Sequence, residues 1–328
     1  MPSYLLRRLG QGIIVILVVT FVTFWLPTLE PGNIAKAVLG NHTTPAEIHA
    51  FLHDHGLDKG FFAQYFDYMK NLLHGNLGTS LNPQTLDEPV TQVIAPYVPR
   101  TFWLVLVSLM ISVVLSIVIG MFQGLRRNTW FDHAMTFIVF LAYSIPAFVF
   151  SLFTIIFFGL TLNWFPVSVD FQSNTGFFYP LMNMFWYHPS QFVLPVMTLV
   201  VLGLGGLTRF MRGSILDTMV QDYIRTARAK GCSSRRVLFK HAFRNALTPI
   251  ITIMGLALPG LFGGALITEQ VFNYLGLGWL TVSSTSSRDV PVVMALTLIV
   301  TVLTVLGNIL ADVGLALSDP RIRLTGTR

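Results

Sequence analysis

Six stretches of this 328-residue chain contain no Asp, Glu, Lys or Arg: 9–29, 101–125, 134–162, 191–208, 245–268 and 290–311. A helix of roughly 20 apolar residues crosses the ~30 Å hydrocarbon core of a bilayer. Within that core the backbone satisfies its own polar groups only as a helix or a closed barrel. The six runs therefore predict an all-α polytopic membrane protein with six transmembrane helices. Charged residues make up 11% of the chain, against about 25% in soluble domains. The third run is long enough to tilt or to overshoot the bilayer, and Pro146 within it is expected to bend it.

The cations sort by side. With the N-terminus cytoplasmic, 16 of the 21 Lys and Arg fall on the inner side, and Lys36, Lys59, Lys70, Arg100 and Arg288 on the outer. This is the positive-inside pattern, and it puts both termini in the cytoplasm, as an even number of spans requires. The net charge of +6 is accounted for by that pattern, so the expected surroundings are a lipid bilayer and no nucleic acid. Arg7 and Arg8 before the first run imitate a secretory leader. However, Trp25-Leu26-Pro27 stands where a small-residue cleavage site would lie, so the span is expected to be retained. The sole cysteine, Cys232, leaves no internal disulfide and no CxxC pair; it reads as a small residue in a turn.

Nine of the cations lie between the fourth and fifth runs: Arg209, Arg212, Arg225, Arg228, Lys230, Arg235, Arg236, Lys240 and Arg244. Here Val220, Tyr223, Ile224 and Ala227 follow the i, i+3, i+4, i+7 spacing of one helical face. Gly231 is expected to break that helix, and Ser233 or Ser234 to cap a second. The second helix would carry Arg235, Arg236, Lys240, His241 and Arg244 on one side, with Leu238, Phe239, Ala242, Phe243 and Leu247 on the other. Such a pair suits docking to another polypeptide; a basic amphipathic helix on anionic lipid is the alternative. The sharp glycine turn favours docking.

Between the first two runs, residues 30–99 read as a small folded cap. Thr44-Pro45-Ala46-Glu47 is a capping-box start with Pro at the first helical position, and that helix should end near Gly56. A second helix, Phe61 to Leu73, would place Phe62, Tyr65, Phe66, Met69, Leu72 and Leu73 along one side and stop at Gly75. His49 and His53 stand one turn apart with His55 nearby. Without a third ligand, they read as solvated histidines rather than a metal site.

Two runs carry small-residue patterns. Ser108, Ser112, Ser116, Gly120 and Gly124 recur every fourth residue, which lets two helix backbones approach closely. A helix–helix seam is expected there, ahead of a polar conduit lining. The fifth run contains Gly255, Pro259, Gly260, Gly263 and Gly264. It should kink at Pro259, as a deformable pathway-lining helix, a tightly packed one, or both.

An ion-coupled carrier usually keeps an ionisable group near the midplane, and none of the six runs has one. Glu269 and Asp312 stand at run edges, where a carboxylate is expected to reach headgroups or water. The chain has no GxxxxGK[S/T] phosphate loop, no HExxH and no nucleophile elbow, so it is not expected to be an enzyme. An ATPase would be another polypeptide.

Gln221-Asp222-Tyr223-Ile224-Arg225-Thr226-Ala227-Arg228-Ala229-Lys230-Gly231, continuing through Arg235-Arg236-Val237 and His241 to Pro249, resembles the coupling segment of ABC-importer permeases of the dipeptide/oligopeptide (and nickel) group. Further pieces agree in order: Tyr4–Leu9, Glu30–Asn33, Gly56–Asp58, Gly75–Ser80, Ser144–Phe148, Trp164–Ser168, Glu269–Phe272, Gly276–Gly278, Arg288–Val292 and Asp319–Arg321. The chain departs from the wider superfamily with Arg225-Thr226-Ala227 in place of Glu-Ala-Ala, and from many members with Leu275 in place of Pro.

The resemblance implies a type I ABC importer permease fold of a bacterial or archaeal inner or plasma membrane. Its segments would be 1–29 (tail and first span), 30–99 (cap), 100–317 (transmembrane core, with coupling segment 213–248) and 318–328 (cytoplasmic tail). Implied partners are a second, homologous permease in a heterodimer, two cytoplasmic ATPase subunits and an extracytoplasmic binding protein. ATP and Mg belong to the ATPases, with no cofactor or metal in this chain. Tyr223, Arg225, Ala227, Arg228, Ala229, Lys230, Gly231, Cys232 and Arg235 would couple to the ATPase. The implied cargo is peptide; nickel or another small solute is the alternative within the class, and an ion-coupled carrier or a non-transporting scaffold the alternative outside it.

Overall fold

The computed structural model describes residues 2–29, 34–40, 43–171, 176–257, 260 and 265–318. Among these there is no β-strand, only an isolated bridge between Thr79 and Pro89. The N-terminal part comprises α1 (Pro2–Trp25), α2 (Ile34–Leu39), α3 (Pro45–Asp54), α4 (Phe61–Leu73) and α5 (Val90–Ile94). Then come α6 (Tyr97–Leu125), α7 (Trp130–Ser144), α8 (Ala147–Thr154, with a π-helical continuation Ile155–Thr161), α9 (Tyr179–Met182) and α10 (Pro189–Met219). The remainder is α11 (Asp222–Ala229), α12 (Ser234–Arg236, with π-helical Val237–Ala242), α13 (Phe243–Ala246), α14 (Thr248–Ala257), α15 (Leu266–Val271), α16 (Leu277–Ser286) and α17 (Val290–Ser318).

Among the described residues, four helical stretches are long and apolar enough to cross a membrane: Arg7–Leu29, Val90–Leu125, Pro189–Met219 and Val290–Ile309. The third run of the sequence is not one gently tilted rod. It breaks between α7 and α8 with a bend of 102°, so together they count as at most one more span. Ile145 is extended and Pro146 begins the second helix, because the proline ring disfavours helical backbone in the residue before it. Of the fifth run, α14 is described. Pro259 and Gly264 lie outside the described residues, and Gly260 is exposed with open space around its Cα.

The centre of the fold is the pairing of α6 with α10, which run side by side in the same direction. Ser112 Oγ donates to Ser108 O (2.8 Å) and to Val200 O (3.3 Å). Lower down, a Cβ built at Gly120 would come within 2.8 Å of Met211 Cβ and of Thr208 O, and one at Gly124 within 2.6 Å of Ile215 Cγ2. Ser108, Ser112, Ser116, Gly120 and Gly124 are all buried. The small-residue stripe thus faces α10, at a spacing that larger side chains would not allow. Elsewhere α1 packs on α17, α7 on α10 and α14 on α17.

α10 does not stop where its charge-free run does. It continues through Arg209 and Arg212 to Met219, so the connecting segment starts about ten residues later than the charges suggest. The reason is a carboxylate 80 residues away. Arg212 donates from Nε to Asp132 Oδ1 (2.8 Å) and from Nη2 to Asp132 Oδ2 (2.7 Å), the bidentate arrangement that planar guanidinium favours.

In the cap, Thr44 caps α3 with a complete capping box to Glu47, and Pro45 opens the helix. Gly56 (φ +63°) and Gly75 (φ +76°) take the left-handed backbone after α3 and α4, where a side chain would be strained. The apolar side of α4 differs from the expected one. Phe61 and Tyr65 pack edge-on against Phe21, and Phe61, Tyr65 and Tyr68 all meet Phe24 on α1. Phe62, Phe66 and Leu73 instead stay exposed.

Candidate functional site

The connection after α10 folds as a helix, a tight turn and a second, irregular helix. Asp222–Ala229 is short, and its C-terminus is closed by Gly231 at φ +75°. Gly231 N donates to Arg228 O (3.0 Å) and Cys232 N to Ala227 O (3.2 Å), returning the orphan carbonyls of the last turn to use. Ser233 then starts the second helix: its Oγ accepts from Arg236 N (3.4 Å) and its carbonyl from Val237 N (2.9 Å). Ile224 and Ala227 from the first helix, and Val237, Leu238, Ala242 and Ala246 from the second, are buried in one cluster with Val113 and Met121 of α6 and Leu207, Met211 and Ile215 of α10. The segment therefore shares a core with the two central helices. A displacement of one is passed to the other, because close-packed side chains do not compress.

The sequence-nominated residues divide by this packing. Tyr223, Arg225, Arg228, Ala229, Lys230, Gly231 and Arg235 are exposed together around the first helix and the turn. Ala227 is buried and Cys232 half-buried, so these two support the surface from beneath. Val220 lies before the helix and is exposed, and Tyr223 accepts from Asn245 Nδ2 (2.9 Å) rather than joining the buried face. On the second helix Phe239 is exposed, not buried, beside Arg235, Arg236 and Lys240 in an open groove of about 510 Å³. The charges here are weakly tied: Arg225 reaches Asp222 at 3.5 Å with both side chains largely in solvent.

The opposite end of the α6–α10 pair is built differently. Glu269 on α15 is fully buried, which corrects the expectation that it reaches water or headgroups. It accepts from Thr101 Oγ1 (2.8 Å), Gly278 N (2.7 Å), Trp279 N (3.1 Å) and Ala265 N (3.3 Å). Gly278 and Trp279 belong to the first turn of α16, whose cap residue Gly276 has no side chain to offer. Glu269 supplies the missing cap from outside, with its charge at the positive end of the helix dipole. The glycines admit it: a Cβ at Gly276 would collide with Thr101 Oγ1 and with Glu269, and one at Gly278 would lie 2.6 Å from Leu266 Cα. The Glu269–Phe272 and Gly276–Gly278 motifs are thus two halves of one clamp.

A second buried carboxylate ties in the cap. Asp289 caps α17 and accepts from Ser80 Oγ (2.5 Å) and Leu81 N (3.0 Å), while Asn82 Nδ2 donates to Ser287 Oγ (3.2 Å). Nearby, the buried Arg100 guanidinium lies 4.6 Å over the Phe171 ring and donates from Nη1 to Leu275 O (3.2 Å). Ser80 and Asp289 fall in two of the sequence motifs and Arg100 among the outer cations, but each bond joins positions far apart in the chain, so the sequence does not display the network.

His53 and His55 are engaged within the cap. His53 Nδ1 lies 2.9 Å from Asp58 Oδ2, and His55 pairs with Phe51 O (2.9 Å) and Asp87 Oδ1 (3.1 Å). Hydrogen bonding to Asp58, then its charge, raises the His53 pKa.

Residues 116–324 match the family of binding-protein-dependent transport system inner membrane components, and residues 1–105 the N-terminal family of such membrane components. The oligopeptide transport system permease protein AppB of Bacillus subtilis is 38% identical, over 98% of this chain and 99% of its own length. The di/tripeptide transport system permease protein DppB of Pseudomonas aeruginosa is 36% identical over the same shares. A putative peptide transport system permease protein of Brucella abortus is 35% identical, again over 98% and 99%. The chain belongs to the binding-protein-dependent transport system inner membrane component family. It is a multi-pass membrane protein and a transport component rather than a catalytic one.

Proposed function

We propose that this chain is the membrane-spanning permease subunit of an ATP-driven importer that translocates peptides handed to it by an extracytoplasmic binding protein. The peptide cargo follows the names of its full-length relatives, which are oligopeptide, di/tripeptide and peptide permeases. One structural observation carries the mechanism: the basic segment 220–247 buries one face in the core of α6 and α10 while its cations stay in solvent. A cytoplasmic ATPase subunit docks on the exposed face, and its movement is delivered to the central helices through Ile224, Ala227, Leu238 and Ala242.

In this reading there are six spans with both termini cytoplasmic. The chain pairs with a second, homologous permease, and two ATPases bind ATP and Mg on their own residues. Tyr223, Arg225, Arg228, Lys230 and Gly231 form the docking surface. Pro259, Gly260 and Gly264 serve the gate, and the α6 stripe is the seam about which the outward- and inward-facing states rearrange. The buried carboxylates Glu269, which accepts four hydrogen bonds, and Asp289, which accepts three, act as structural ties.

Gentle extraction of the tagged chain from its native membrane tests the assembly. Stoichiometric recovery of Walker-motif ATPases and a second permease is expected. A clean monomer or homodimer, under conditions that preserve other such transporters, would overturn the reading.

A further inference from the structure

α4 has more apolar surface than α1 covers. At about 100° per residue, Tyr68, Phe61, Leu72, Tyr65 and Met69 span one arc centred on α1. Phe62, Leu73 and Phe66 then occupy the next ~40° of the helix, and Lys70, Asp67 and Asn71 the remainder. Of the first set, Phe61, Tyr65 and Tyr68 pack on Phe21 and Phe24, and Met69 and Leu72 are half-buried. The second is exposed by 65% at Phe62, 84% at Leu73 and 67% at Phe66. An apolar flank therefore stands directly beside the helix that α4 embraces.

The depth of this flank is fixed by α1. The Tyr65 hydroxyl lies 3.2 Å from Thr20 Oγ1 and 3.5 Å from Leu17 O. These positions are five and eight residues inside the end of α1 at Trp25, about 8 and 12 Å along its axis. Around them α1 exposes Leu17, Val18, Phe21 and Val22, the outward face of a 23-residue candidate span. With the Trp25 end of α1 at the edge of the hydrocarbon, the contacts with Phe21 and Phe24 bring α4 to that boundary. The Tyr68 hydroxyl is buried at the α1–α4 seam, and this burial pushes the phenol up to about 12.

We propose that α4 is an in-plane membrane helix, with Phe62, Phe66 and Leu73 seated among lipid acyl chains at the distal end of α1. Its polar edge meets the headgroups, where Lys59 and Asp67 pair at 2.5 Å. The narrowness of the flank, its continuity with the exposed face of α1 and its charged border suit shallow insertion into a leaflet. The cap is then anchored in the bilayer by one of its two longer helices.

Spin labels placed singly by Phe62→Cys, Phe66→Cys, Leu73→Cys, Ala63→Cys and Asn71→Cys, on a Cys232→Ser background, test this in the otherwise cysteine-free assembled transporter in phospholipid nanodiscs. The expected ratio of oxygen to water-soluble nickel-complex accessibility is above one at 62, 66 and 73 and below one at 63 and 71. Preferential access of the nickel complex to 62, 66 and 73 would overturn the proposal, since the flank would be in water. Low access of both reagents would also overturn it, since a protein would cover the flank. Should the labelled chains not assemble, the fluorescence that Phe66→Trp adds to that of the six native tryptophans gives the same decision. Quenching by acyl-chain-brominated lipid is expected, and quenching by aqueous iodide alone, or by neither, would contradict it.

Discussion

The two ends of the α6–α10 pair handle charge in opposite ways. At one end Glu269 and Asp289 are buried and hydrogen-bonded from several directions. At the other, Arg225, Arg228, Lys230, Arg235, Arg236 and Lys240 stand in solvent, and one loose 3.5 Å contact ties Arg225 to Asp222. A buried carboxylate with every lone pair used gathers distant segments into one body, because releasing any partner strands a desolvated charge. Exposed cations on a rigidly packed base do the reverse, keeping their interaction free energy for a partner. Asp132 with Arg212 is intermediate, since the carboxylate is buried and the guanidinium is 31% exposed.

The sharpest way to break the contrast is Glu269→Ala. It removes the acceptor of four donors, and an unsatisfied buried group costs about 1–3 kcal/mol. Loss of folded protein from the membrane, or a large fall in the melting temperature of the purified assembly, is expected. Glu269→Gln, which keeps an acceptor oxygen, should be milder. Asp132→Ala comes next. It leaves Arg212 without its partner, but the partial exposure of the guanidinium limits the cost to about 1–3 kcal/mol, below that of a fully buried pair. The Asp132→Ala/Arg212→Ala double variant should recover part of that loss in the same thermal assay.

Gly124→Leu tests the seam that joins the two ends. Overpacking against Ile215 should cost about 1–3 kcal/mol and lower the thermal midpoint, whereas Gly206→Leu, with open space around it, should not. The smallest effect belongs to the exposed His53–Asp58 tie. Its stabilisation is present below the ordinary histidine pKa near 6.5 and is lost as pH rises through the raised folded value. An NMR titration should find His53 above that reference, and Asp58→Asn should bring it back.

What was legible in the sequence was mostly local. The Thr44 capping box, the limits Phe61–Leu73 and the break at Gly231 each depend on residues within one or two turns. The Pro146 break was legible in place though not in size. The arrangement of distant groups was not legible. Arg212 marks a helix end only to a reader who cannot see Asp132 beneath it, and Glu269 looks like a membrane-edge carboxylate until Thr101 and the first turn of α16 close around it. α4 misled for a related reason, since both of its apolar sides satisfy the same periodicity and only α1 decides which is buried. The residues proposed for docking form a contiguous motif, but packing alone separates Ala227 and Cys232 from the exposed set.

The most direct test of the account is uptake of a labelled peptide and ATP hydrolysis measured side by side in proteoliposomes carrying Arg228→Glu. The exposed position should leave assembly and stability unchanged, while uptake per ATP hydrolysed falls sharply. Wild-type uptake at a wild-type ratio would contradict the claim that this surface conveys the driving force to the central helices.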